Sequence, residues 1–183
     1  MSMNKKVIFF VIFFIFSVIS SMLGLGYLVT LVLGLPFDLP SPAPIRLLGL
    51  LATAVGVFFA GWTLRYRKPS DIILSSYATV MKAVKRIDVE ERVGRSESLV
   101  ILGPYKYVRN PQYFGVVMLL FGLGALLSFT FLFFASLFTL LWFRFVLIPF
   151  EERELLSLFG AQYETYMKQV PAIFPSLLVW RVH

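Results

Sequence analysis

"YFGVVMLLFGLGALLSFTFLFFASLFTLLWFRFVLI", residues 113–148, carries a single charge, Arg144, in two apolar runs that part at Ser128. A hydrocarbon core of about 30 Å needs about 20 helical residues. The run 129–148 supplies them, and the shorter run 113–127 reaches further by borrowing Pro111 and Gln112, giving a span over 111–127. With only Leu127-Ser128-Phe129 between them, the two spans form an antiparallel helical hairpin. Two more apolar runs, 7–35 and 45–64, lie upstream. The first follows Lys5 and Lys6 as a signal peptide would, but it is too long for an apolar segment of about 7–15 residues and lacks a clear cleavage site, so it reads as an uncleaved, tilted span. The expected fold is all-α, a polytopic membrane protein with about four transmembrane helices.

Composition agrees. The 183 residues are 58% hydrophobic and 15% charged, with a mean hydropathy of +0.82, against roughly 45–50% and 25% in a soluble domain. No cysteine is present, which removes thiol chemistry by the protein itself and leaves the redox compartment open. Neither internal repeats nor low-complexity tracts interrupt the chain, and 1–183 reads as a single integral membrane domain.

Short loops rich in Lys and Arg stay cytoplasmic. Of seventeen such residues, two precede the first span, ten lie in 65–109, four lie from Arg144 onward, and only Arg46 falls in a predicted outer loop. Both termini and the connecting segment are therefore expected in the cytoplasm. The outer loop "PFDLPSPAP", 36–44, reads as a stiff, extended spacer. The net charge of +7 admits nucleic acid as a partner, but the cations share their segments with nine of the ten acids and flank apolar spans. Topology and anionic lipid headgroups account for them, and no nucleic-acid module is visible. Within the connecting segment, residues 70–94 read as a helix, with Tyr77, Val80, Met81, Val84 and Ile87 at helical spacing.

Two clusters flank the hairpin. Before it stands "LGPYKYVRNPQYFG", 102–115, in which Gly103-Pro104 marks a turn and Asn110-Pro111 a helix start, with Asn as N-cap and Pro where its missing N–H costs nothing. The helix N-terminus that results suits a carboxylate or phosphate. After the hairpin comes "PFEERELLSLFGAQYETYMKQVPAIFP", 149–175. Glu151 and Glu152 sit just beyond the apolar run, where a bare carboxylate is costly unless paired. Glu152, Leu156, Phe159, Tyr163 and Tyr166 follow helical spacing, predicting an amphipathic helix that folds back over the first cluster. The hairpin brings Asn110 and Glu151 to the same membrane face.

"GPYKYVRNPQYFG", some 35 residues of hairpin, and "EERELLSLFGAQYETYMKQVPAIFP" together resemble the isoprenylcysteine carboxyl methyltransferase and phospholipid methyltransferase superfamily of integral membrane enzymes. The resemblance covers about 97–175. It implies S-adenosylmethionine as methyl donor, held at the cytoplasmic end of the last spans. It also implies cofactor contacts at Glu97, Ser98, Leu99, Val100, Tyr105, Asn110, Pro111, Gln112 and Tyr113, with Glu151 as the glutamate of the catalytic end. Gly24-Leu25-Gly26 and Gly122-Leu123-Gly124 lack a third glycine at Rossmann spacing and lie inside spans, where close helix packing is their expected role. The chain departs from the eukaryotic prenylcysteine enzymes in two places. Asn110 stands where they have histidine, and Asn cannot titrate, so the position binds rather than exchanges protons. Leu147 stands where they have an arginine that holds the substrate carboxylate.

Methyl transfer is an in-line displacement at a sulfonium carbon, so the protein mainly aligns the nucleophile and excludes water. For an amine, Glu151 or Glu152 takes the proton; for a carboxylate, Arg144 or Arg153 orients it. The acceptor expected is lipophilic or membrane-delivered, isoprenylcysteine-like, with a phospholipid or small amine as the alternative. Leu147 and Glu152 are the candidate substrate contacts. Adjacent helical residues point about 100° apart, so Glu151 is expected in the pocket and Glu152 against the rest of the protein. No His or Cys cluster offers a metal site. A non-enzymatic scaffold or transporter subunit is the competing class.

Overall fold

The computed structural model describes residues 5–68 and 99–176, and every regular element within them is helical. In chain order these are α1 (Lys5–Val32), α2 (Ala43–Leu64), a 3-10 turn (Gly103–Lys106), α3 (Pro111–Leu127), α4 (Thr130–Trp142), a π turn (Phe143–Leu147), α5 (Ile148–Phe159) and α6 (Ala161–Gln169). Three stretches are long and apolar enough to cross a membrane: Ile8–Val32, Ala43–Leu64 and the continuous Thr130–Phe159. The fourth apolar helix, Pro111–Leu127, has 17 residues and does begin at the borrowed Pro111. The helix expected at 70–94 lies outside the described residues.

The α3–α4 hairpin turns at Ser128, whose left-handed backbone (φ 66) ends α3 and lets the Phe129 N–H return to Gly124 O at 3.0 Å. The loop 36–44 is more than a spacer. Thr130 N donates to Phe37 O at 2.9 Å, Leu39 N donates to Ser128 O at 2.8 Å, and the Thr130 hydroxyl donates to Pro36 O. These bonds fasten the α1–α2 turn to the α3–α4 turn, so both hairpins close at one end of the bundle and the two sequence clusters meet at the other.

Lipid offers no hydrophobic drive between helices, so close backbone contact has to supply it. Gly49 and Gly56 of α2 face Gly122 and Gly115 of α3. A Cβ on Gly122 would stand 2.5 Å from Thr53 N and 2.8 Å from Gly49 O, and one on Gly56 would stand 2.7 Å from Gly115 O. Gly26 of α1 meets α4 in the same way, 2.9 Å from Ala135 N, whereas Gly24 meets nothing. Hydroxyls within the spans are satisfied locally: Thr30 donates to Gly26 O, Thr53 to Gly49 O and Thr63 to Phe59 O, while Ser136 Oγ reaches across from α4 to Val117 O at 3.1 Å.

The helix that carries the last apolar run continues past Ile148 to Phe159 through the π turn. Pro149 explains the turn, because it lacks an N–H and its ring would strike the carbonyl four residues back, at Phe145; widening the helix over 143–147 makes room. The single helix expected from Glu152 to Tyr166 is broken at Gly160, whose backbone (φ 51, ψ −129) is reserved for residues without a Cβ. The reversal toward the first cluster therefore occurs at Gly160, and α6 alone folds back.

Candidate functional site

The first cluster is built as a turn followed by an extended strip. Gly103 takes φ +60 with the Tyr66 ring lying against it, and residues 107–110 then run beside the segment that follows α6. Arg109 N donates to Pro171 O at 2.9 Å, Asn110 N to Ala172 O at 3.2 Å, and Ser176 N to Tyr107 O at 2.9 Å. Asn110 is the N-cap residue of α3, as expected, but its side chain does not cap. Nδ2 donates to Ala172 O at 3.0 Å, which ties the side chain to the returning segment. The first turn of α3 is thus left without a side-chain cap.

Arg109, which the sequence reading passed over, joins three pieces of the site. One guanidinium nitrogen donates to Met167 O at 2.6 Å and Val170 O at 2.9 Å, supplying partners to carbonyls at the end of α6, and the other lies 2.6 Å from Glu152 Oε1. Both side chains are well buried, at 9% and 15% exposure. The ion pair is close but off the hydrogen-bond axis: Arg109 Nε and Glu152 Oε1 have no aligned hydrogen-bond partner among the described residues, so charge rather than alignment holds it.

Glu151 points elsewhere, as the angle between neighbours requires. The Tyr113 hydroxyl, in the first turn of α3, donates to Glu151 Oε1 at 2.8 Å, and both residues are half-buried. The Tyr113 ring stacks on Phe143 at 4.3 Å between centroids, so the π turn sets the wall behind this pair. Glu154, three residues on and also missed, is buried at 1% exposure.

Around these groups lies a hydrophobic floor of Ile101, Tyr163, Tyr166 and Val170, with Leu99 and Phe159 packed against it. Tyr166 donates to Tyr105 O at 2.7 Å. Burial pushes both the Tyr163 and Tyr166 phenols above the ordinary tyrosine range, and the Glu152 carboxylate raises Tyr163 further, so both stay neutral donors.

Of the predicted cofactor contacts, Tyr105 and Pro111 are buried, Leu99, Val100, Asn110, Gln112 and Tyr113 are half-buried near this end, and Glu97 and Ser98 lie outside the described residues. The structure brings Asn110, Tyr113, Glu151 and Glu152 together. It does not bring in the two arginines: Arg153 is exposed, and the exposed Arg144 sits 5.8 Å over the Phe145 ring. Leu147 is half-buried against the Val117, Phe143, Ile148 and Ile173 cluster. Beside that cluster a small apolar cleft of about 40 Å³ lies between α1, α3 and α4. Among the described residues no group of three or more His, Cys, Asp or Glu is placed to hold a metal ion.

The fold and site define an all-helical integral membrane protein with an acidic, tyrosine-rich centre at the end of its spans. Residues 93–162 match the family model for phospholipid methyltransferase, a range that takes in the 3-10 turn, α3, α4 and α5. A methanethiol S-methyltransferase of Crocosphaera subtropica is 38% identical over 71 residues, 39% of this chain and 27% of that protein. Methanethiol S-methyltransferase 1 of Bradyrhizobium diazoefficiens is 30% identical over 132 residues, 72% of this chain and 43% of that protein. Methanethiol S-methyltransferase 2 of the same organism is 29% identical over 145 residues, 78% of this chain and 54% of that protein. The chain spans about half or less of the length of these curated relatives. The superfamily resemblance carried by the two motifs is borne out.

Proposed function

We propose that the chain is a membrane methyltransferase that uses S-adenosylmethionine, holds its reaction centre on the cytoplasmic side as part of a single domain, and methylates a small apolar thiol reaching it through the bilayer. The observation that carries this reading is the Tyr113–Glu151 hydrogen bond of 2.8 Å at the uncapped head of α3. The residues present suit a cationic donor with a carboxylate tail. Glu151 and the Tyr113 ring favour a positive sulfonium, and the positive dipole end of α3 favours the carboxylate. Leu99, Val100, Tyr105 and residues 110–113, with Glu97 and Ser98, would hold it. Bound there, the donor would supply an electrophilic methyl group to the acceptor sulfur and leave as a neutral thioether, and the role of this chain's Glu151 carboxylate would be to accept the proton that the thiol gives up. Tyr113 fixes the Glu151 carboxylate by donating to Oε1 at 2.8 Å. The apolar walls exclude water, which favours a step that cancels charge.

An isoprenylcysteine acceptor fits less well. Leu147 replaces the carboxylate-binding arginine and packs in an apolar cluster, and Arg144 and Arg153 are exposed. The relatives named as methanethiol methyltransferases favour a thiol. The purified full chain, given labelled S-adenosylmethionine, should methylate methanethiol or ethanethiol in preference to a prenylcysteine or phosphatidylethanolamine. Transfer to phosphatidylethanolamine alone would replace the thiol reading with N-methylation, and no transfer to any of them would sink the enzyme reading.

A further inference from the structure

We propose that the end of α2 and the 3-10 turn Gly103–Lys106 together bind the headgroup of one anionic phospholipid, with Arg65, Lys68 and Lys106 around its phosphate. The two elements are in contact. The Tyr66 ring lies against Gly103, and the Trp62 ring stands 5.9 Å from that of Tyr107. Residues three apart stack in a 3-10 turn, so Lys106 lies over Gly103 on the side that α2 approaches. Arg65 is the C-cap of α2 and Lys68 follows Tyr66 by two residues, so the three cations gather where the span leaves the hydrocarbon. No acid occurs in 62–68 or 101–107, and none of the three cations has an ion-pair partner among the described residues.

The second observation is the order of chemistry at this end of the bundle. Leu102 and Phe174 lie outside the spans, yet each is 56% exposed. Phe174 is joined to the spans through Phe114, 6.2 Å away, which meets Phe59 of α2 at 4.8 Å; Phe59 in turn meets Trp62 at 5.9 Å. Apolar surface, amphipathic rings (Trp62, Tyr66, Tyr107) and cations thus follow one another as acyl chain, glycerol region and phosphate do in a lipid. Diffuse attraction to an anionic leaflet requires no such arrangement, whereas here ring contacts hold two elements and their cations in register. A choline or ethanolamine headgroup would bring a further cation into a cluster without an acid, so an anionic lipid is favoured over a zwitterionic one. Inorganic phosphate has no acyl chains to cover Leu102 and Phe174.

The test places the full chain, with Trp62 as its sole tryptophan (Trp142→Phe, Trp180→Phe), in mixed vesicles of phosphatidylcholine and phosphatidylglycerol. Bromines on the upper acyl chain of one lipid or the other quench a nearby indole. Phosphatidylglycerol should be preferred beside Trp62 by at least about fivefold, and Lys106→Gln should lower the preference about fivefold, the loss of one cation at a membrane surface. Arg65→Gln should do the same and Lys106→Arg should keep the preference. Lys168→Gln, which removes the same charge from α6, should leave it unchanged. In 1 M NaCl screening acts over about 3 Å, so a phosphate in direct contact should stay preferred. A preference that vanishes in that salt, or that falls equally in Lys106→Gln and Lys168→Gln, would mean diffuse attraction and overturn the site. Loss of the preference on adding inorganic phosphate would mean a free-anion site and overturn the lipid reading. Should the chain with two substituted tryptophans fail to fold, native mass spectrometry of the unaltered chain decides. One retained phosphatidylglycerol that Lys106→Gln sheds supports the site, and none retained overturns it. Every reading is made without S-adenosylmethionine, so the outcome stands apart from the methyltransferase reading.

Discussion

Arg109→Met removes the group that joins the head of α3, α5 and the end of α6. Its two carbonyl bonds, to Met167 and Val170 at 2.6 and 2.9 Å, are charge-assisted and worth about 1.5–3 kcal/mol each when broken alone. The Glu152 carboxylate, 15% exposed, is left buried without its cation, a loss of about 3–5 kcal/mol in comparable pairs. These terms share one side chain and do not add, so the expected destabilisation is about 3–5 kcal/mol in total. Glu152→Gln leaves Arg109 on its two carbonyls and should cost only about 1–3 kcal/mol. The double variant should be less unstable than the two single losses added together, because it leaves no orphaned charge. Reversible unfolding in mixed micelles, followed by helical circular dichroism across the four-protein cycle, measures all of this. If Arg109→Met changes stability by less than about 0.5 kcal/mol, the pair behaves as a surface contact and its assignment as the joint of the site is wrong.

Glu151→Gln should keep the fold and lower methyl transfer by at least about 100-fold, read as initial rate beside thermal midpoint; an active Glu151→Gln beside a dead but stable Glu152→Gln would reverse their roles. Gly122→Val should cost about 1–3 kcal/mol or more, since a Cβ there meets Thr53 N at 2.5 Å and neither backbone can retreat without parting α2 from α3. Because burial holds the Tyr163 phenol above the ordinary 10.0, the unfolded chain releases that proton first; its contribution is complete below about pH 10 and should fade as pH rises further. Tyr163→Phe should therefore flatten the alkaline loss of stability, and an unchanged slope would count against a neutral, buried phenol. Reporter fusions at Lys6, Lys85 and His183 should read cytoplasmic and one at Ser41 external; an external signal at Lys85 would break the four-span arrangement.

The local physics of a bilayer made much of this chain readable in one dimension. Span lengths follow from the thickness of hydrocarbon, the start of α3 at Pro111 from the missing proline N–H, and the packing roles of Gly26 and Gly122 from the small residues that lipid-embedded helices need. The separation of Glu151 from Glu152 followed from helical geometry alone. What only the tertiary structure decided depends on partners that leave no mark in sequence. Arg109 binds backbone carbonyls 58 and 61 residues away, and a carbonyl is the same whatever residue bears it. Asn110 holds the segment after α6 through Ala172 O, 62 residues away, and the helix continued past Ile148 because a π turn absorbed Pro149. In each case several conformations satisfied the local chemistry, and the choice fell to whichever one closed the contacts between distant parts of the chain.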